Sequence, residues 1–244
     1  MFRYKGRRTL SHNLRLATLL SLVAGMVNIC GVLSIKILTT NVTGHFAFFA
    51  EEIILKNYSM ALTLVAFVFC FLFGSFLSGL LTEVVSRSKV DFSPVLLPVM
   101  LEISVLVSVC LYGGYYGLAG ENAHWVASAM LFSMGLQNSL VTQVSKSIVR
   151  TTHLTGLFTD LGIELAQLIF YRKPTEIRKL TQSIYLRSAI ILFFFIGSIA
   201  GGVIYSFVEL KVLYVACVLL LITLFYDTIR FHFYSLKRKI FEPH

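Results

Sequence analysis

Charge is what this 244-residue chain has least of: Asp, Glu, Lys and Arg together make up 14% of it, where a soluble domain carries about 25%. With 57% hydrophobic residues and a mean hydropathy of +0.80, that shortage excludes a soluble globular protein and points to a membrane. Prolines number four and glycines 16, so collagen-like and low-complexity disordered chains are excluded as well. The four cysteines, Cys30, Cys70, Cys110 and Cys217, all fall inside apolar runs with no CxxC spacing. They read as reduced packing residues, not as a disulfide framework or a zinc site. Catalytic signatures are missing too: there is no P-loop, GxSxG or HExxH, and the six histidines are scattered without metal-ligand spacing. Neither an enzyme, a metal nor a cofactor is expected, and no soluble stretch is long enough to hold a nucleotide or nucleic acid.

What the chain has is length of apolar run. A helix needs about 20 apolar residues to cross a bilayer core of roughly 30 Å, and six stretches qualify: 16–38, 59–81, 94–118, 125–148, 186–208 and 212–233. Two shorter apolar segments, 43–56 and 155–171, carry acids and are not ordinary spans. The net charge of +9 is explained by topology instead of nucleic acid, because loops retained in the cytoplasm hold most Lys and Arg. Six crossings with both termini cytoplasmic put 18 of the 21 Lys and Arg inside, leaving Lys36, Lys56 and Lys211 outside. Eight crossings would give a less lopsided 15 to 6, so six are expected. The basic N-terminus leads into a run of about 23 residues with no A-x-A-like site after it, which is a first span and not a cleaved signal peptide.

The chain also repeats itself. Gly25-Met26-Val27-Asn28 is echoed 110 residues later by Gly135-Leu136-Gln137-Asn138, and Lys36 by Lys146. Thr39-Thr40-Asn41-Val42-Thr43-Gly44 matches Thr151-Thr152-His153-Leu154-Thr155-Gly156, Glu52 falls on Glu164, and Gly74-Ser75 on Gly197-Ser198. The expected architecture is therefore one all-α membrane domain over 1–244, built from two repeats, 12–118 and 122–234. Each repeat has three transmembrane helices and a short segment after a TTxxTG corner. Three crossings per half turn the second half upside down relative to the first, which makes the repeats inverted.

At membrane depth, irregular backbone is tolerated only where protein or a water-filled cavity surrounds it. A helix start after Thr43 or Thr155 would offer unpaired N–H groups to a polar or anionic solute. The candidate binding residues are accordingly Asn28, Thr39, Thr40, Thr43, Gly44 and His45 in one half, with Asn138, Thr151, Thr152, His153, Thr155 and Gly156 in the other. Asn28 and Asn138 serve equally well as helix glue, since an amide inside a span must find a partner. Intramembrane acids usually face a cavity, a partner or a proton path. Asp160 and Glu164, four residues apart on one helical face with Gln167, and Glu52 in the first half are the candidates for gating or coupling. Glu102 and Asp227 are weaker ones, and Asp227 has Arg230 three residues on as a local partner. The Gly and Ser of Gly74-Ser75 and Gly197-Ser198 suit close helix packing.

Ala24-Gly25-Met26-Val27-Asn28, Thr43-Gly44-His45, Gly135-Leu136-Gln137-Asn138-Ser139 and Thr151-Thr152-His153-Leu154-Thr155-Gly156, taken in order, resemble the YoaK-like proteins, domain of unknown function 1275, over nearly the whole chain. The resemblance implies a six- or seven-span protein of the bacterial inner membrane and supplies no substrate. The chain departs from that family's pattern where Asn28 replaces an acid and His45 an asparagine. The leading functional expectation is a small secondary transporter or channel-like permease for a small polar or anionic solute, bound at the two corners. The bilayer is its setting, and a homodimer is compatible with so slender a bundle. The rival readings are a non-transporting scaffold or sensor and, behind it, a membrane-embedded lipid enzyme using the acids and His153.

Overall fold

The computed structural model describes residues 10–88, 93–144 and 154–241, and side chains within 14–88, 93–143 and 154–226. Every element among them is helical: α1 (Leu10–Ile35), α2 (Val42–Ile54), α3 (Tyr58–Arg87), α4 (Leu96–Tyr116), α5 (Glu121–Val144), α6 (Leu154–Phe170), α7 (Pro174–Val208) and α8 (Val212–Phe241). A 3₁₀ turn, Glu209–Lys211, joins the last two. Helices are what lipid demands of apolar sequence, because each backbone donor and acceptor must be satisfied within its own segment. At 1.5 Å per residue α3 is about 45 Å long, α2 only about 20 Å.

Four stretches are long and apolar enough to cross a membrane: Leu14–Ile35, Tyr58–Arg87, Leu96–Tyr116 and Pro174–Tyr226. The fourth, 53 residues long, runs through α7, the 3₁₀ turn and the start of α8. The described part of the expected span 125–148 is a helix, α5, but is not among the four. Its Ser128, Ser133, Gln137, Asn138 and Ser139 dilute the hydropathy, and it is covered instead by neighbours, with Ser133 and Gln137 fully buried. The expected span 186–208 starts too late. α7 begins at Pro174, because a proline at the first position and a polar, helix-compatible sequence extend the helix where hydropathy registers nothing.

The neighbours of each helix follow one rule. α1 packs along α7 as α5 packs along α3, α8 rests on α1 as α4 rests on α5, and α6 lies on α7 as α2 lies on α3. α1 meets α5, and α4 meets α8, across the middle. Exchanging α1–α4 with α5–α8 turns these contacts into themselves.

The two principal crossings use the same chemistry. A methyl group on Gly25 would fall on the carbonyl oxygen of Phe194, and one on Gly197 on the backbone of Leu22; on Gly135 and Gly74 the collisions are with the carbonyls of Phe71 and Phe132. Ser198 Oγ donates to Gly25 O at 3.3 Å and Ser75 Oγ to Gly135 O at 3.1 Å. Small residues let the two backbones touch, where van der Waals contact and hydrogen bonds replace the hydrophobic drive that lipid removes. The repeated G-x-x-N and Gly-Ser motifs are thus two halves of one joint, each motif meeting the other half's partner. Outward, α3 turns Leu62, Phe69, Phe73 and Phe76 away from the bundle, and α7 turns out Leu192, Phe195 and Ile199.

Cys30, Cys110 and Cys217 are buried and Cys70 half-buried, all as free thiols.

Candidate functional site

The first corner begins where α1 stops. Lys36 takes a left-handed φ of 58°, a conformation that costs an L-residue about 1 kcal/mol or more and that turns the chain back over α1. Asn28, two turns inside α1, receives it: its Oδ1 accepts from Thr39 N at 3.1 Å, Thr40 N at 3.3 Å and Thr40 Oγ1 at 3.0 Å. Gly31 makes room, since a Cβ there would stand 2.6 Å from Thr39 Cγ2. The expected helix start after Thr43 is corrected: the helix begins one residue before that threonine. α2 starts at Val42, capped by Asn41, whose Oδ1 accepts from Gly44 N at 3.0 Å, so Thr43 and Gly44 lie inside the first turn.

His45 is the one buried residue of α2. Its Nε2 lies 2.9 Å from Leu38 O; a carbonyl only accepts, so Nε2 carries the hydrogen and Nδ1 is left as an acceptor. Burial holds the imidazole below its ordinary pKa, partly offset by the Leu38 bond. The ring meets Phe67 of α3 edge-on at 5.7 Å, and Phe67 meets His124 of α5 at 6.2 Å. Between Thr39 and the far end of α2, three polar atoms are buried without a hydrogen-bond partner among the described residues: Thr39 Oγ1, His45 Nδ1 and Glu52 Oε2. Nitrogen and carboxylate oxygen here are acceptors, and the hydroxyl serves either way, so the corner offers lone pairs to a ligand that donates hydrogens.

In the second half, Thr151, Thr152 and His153 lie outside the described residues. α6 starts at Leu154, again one residue before the expected threonine, and Thr155 O accepts from Thr159 Oγ1 at 3.0 Å. Gly156 follows in the first turn of α6, and Leu157 takes the buried place that His45 holds in α2. Among the described residues Asn138 Oδ1 is buried without a partner, whereas Oδ1 of its counterpart Asn28 accepts three bonds.

The acids divide sharply. Asp160 and Glu164 are brought together by Arg187 of α7, which sequence reasoning counted only as a cytoplasmic charge. Arg187 Nη1 donates to Asp160 Oδ2 at 2.7 Å, Arg187 Nε to Glu164 Oε2 at 3.0 Å, and Ser183 Oγ to Glu164 Oε1 at 2.6 Å. Two acids four residues apart on a largely apolar helix call for a cation, and Arg187 is the only base between Leu180 and Val208; that was the signal available. Glu52 has no such clamp. Glu102, rated lower from sequence, is fully buried in α4 with neither carboxyl oxygen partnered.

Two clefts flank α5. One of 740 Å³ lies against α3 and is lined by apolar residues such as Leu62, Phe69 and Trp125. The other, of 560 Å³, lies against α4 with Ser104, Ser108 and Tyr112 in its wall. Neither is lined by a corner residue.

Residues 16–226 match the family model described as Protein of unknown function (DUF1275). No curated protein and no solved structure matches the chain.

Proposed function

From the premise that this chain belongs to the DUF1275 family, which assigns it no activity, we propose from its own geometry a small secondary transporter or channel-like permease for a small polar solute. The solute binds at the TTxxTG corners, and the observation that carries this reading is the set of three unpartnered buried polar atoms, Thr39 Oγ1, His45 Nδ1 and Glu52 Oε2. Leaving a buried polar group unpaired costs about 1–3 kcal/mol, and two at the corner, with Glu52 two turns farther along α2, are best repaid by a ligand. Because those atoms offer lone pairs, the reading favours a solute bearing ammonium, amide or hydroxyl hydrogens over a bare anion.

The chain crosses a bacterial inner membrane six times, by α1, α3, α4, α5, α7 and α8, with both termini cytoplasmic and α2 and α6 as short helices that do not cross. Its halves are inverted repeats. Support comes from the exchange of neighbours between α1–α4 and α5–α8 and from the matching Gly-Ser crossings. Asp160, Glu164 and Arg187 form a latch between α6 and α7 that gates the inner end, and no step of catalysis is assigned.

A thermal-shift screen of the purified protein against amines, amino acids, sugars, nucleobases and anions tests the reading. A ligand at a hundred times its Kd adds about 2.7 kcal/mol to the native state. The expected result is a stabilising solute whose effect disappears in Thr39→Val or His45→Leu, with flux assays in liposomes to follow. The saturated oxygen of Asn28 favours the second reading, a non-transporting scaffold whose corner is purely structural. Under it no solute shifts the melting temperature, and the same variants are simply less stable.

A further inference from the structure

Glu102 lies on the buried stripe of α4, with Pro98, Val99, Leu106 and Val109, against the helices that cover it, chiefly α5 and α8. It is 0% exposed, and neither carboxyl oxygen has a hydrogen-bond partner. Charge cannot be held there: an ionised carboxylate in an apolar interior without a partner costs more than a fold's whole margin of stability. Two species remove that charge, a metal cation or a proton. A metal ion needs several further donors, and among the described residues no group of three or more His, Cys, Asp or Glu is able to hold one.

The surrounding groups offer no counter-charge either. On α8, Cys217 gives its hydrogen to Ile103 O and Tyr214 is 39% exposed; the described side chains of α8 include no carboxylate, Lys, Arg or His. On α4 itself, Cys110 bonds Leu210 O and Tyr112 bonds Asn122, with Tyr115 and Tyr116 exposed at the far end. On α5 the titratable groups are Glu121 and His124, both in its first turn. On α3, Glu83 and Arg87 pair with each other, leaving Tyr58 and Cys70. Glu209 and Lys211 stand in the 3₁₀ turn.

We propose that Glu102 is a proton site: it holds one proton on a carboxyl oxygen in the sealed arrangement, and gives it to water when α4 parts from α5 and α8. This deepens the transport reading, on which it rests, by making the proton the coupled ion and α4 the moving element.

Infrared difference spectra of the full-length protein in lipid, stepped through pH, are compared between wild type and Glu102→Gln. The expected result is a protonated-carboxyl band, absent from Glu102→Gln, whose amplitude falls reversibly as pH rises. Identical spectra for the two proteins overturn the proposal. So does a band that is lost in the variant but constant at every pH, which makes the carboxyl a fixed neutral packing group. If Glu102→Gln does not fold, Glu102→Asp replaces it: a displaced band that still titrates supports the proposal, and an unchanged one overturns it. No solute is present in these spectra, so they decide on Glu102 independently of the ligand screen, whose failure would remove the transport reading alone.

Discussion

His45 and Leu157 occupy the same place in α2 and α6, each the only buried residue of its helix among the described side chains, so the position needs a wedge and the histidine adds chemistry to it. Burial lowers the pKa of the imidazole, while in the unfolded chain it titrates near 6.5. Below that value the unfolded state gains a proton the folded state refuses. Stability is therefore unaffected by this group above about pH 7 and is lost as pH falls through 6.5 toward the lowered folded value. Melting curves of wild type from pH 7.5 to 5 are expected to show this decline, and His45→Leu, which keeps the wedge, to flatten it. An equal decline in both proteins would locate the effect elsewhere. Legibility differed by residue for a related reason. Asn28 and Asn138 were recognisable as amides inside spans, but the three donors that converge on Asn28 come from backbone and side chain 11 and 12 positions away, which spacing does not announce. Glu102 drew little attention because a single acid in an apolar run has no periodic partner, and its total burial is a property of α5 and α8.

At the level of elements, hydropathy found the long helices, and helix ends were set by other forces. α7 runs 12 residues farther toward its N-terminus than its apolar run, and that polar extension brings Ser183 to α6 beside Arg187, the second residue of the apolar run. The clamp is unequal. Glu164 is 14% exposed and takes two bonds, Asp160 is 51% exposed and takes one, so the first arm holds more tightly than the solvent-screened second. Arg187→Ala is expected to cost roughly 1–3 kcal/mol by leaving the part-buried Glu164 carboxylate with Ser183 as its one donor and no cation, and to speed amide hydrogen exchange across Leu154–Phe170. Glu164→Gln should loosen α6 more than Asp160→Asn. Equal exchange in all three variants and wild type would show that apolar contacts alone hold α6 in place.

Across the whole molecule, the strongest joints run between halves, not within them. α1 is locked to α7 and α5 to α3 through glycines that leave no room for a methyl group, so neither half contains the partner its own motif needs. The recurring motifs were visible in the sequence, but this exchange of partners was not, because motif order says nothing about which copy meets which. Cutting the chain in the loop 117–120 and co-expressing the pieces should yield a complex that co-purifies, whereas each piece alone should aggregate or be degraded. Gly25→Leu should abolish the co-purification, since the collision is with backbone that cannot step aside, while Gly114→Leu, with nothing within 4 Å, should leave it intact. Recovery of a folded single half would refute the interlock. The same geometry speaks to ancestry: a half-length chain bearing one copy of each motif could close its joints only against a second copy of itself. Joining two such chains end to end would turn a self-associating monomer into a self-sufficient protein, in which each position could hold a different residue in the two copies, as His45 stands against Leu157 and Glu52 against the clamped Glu164.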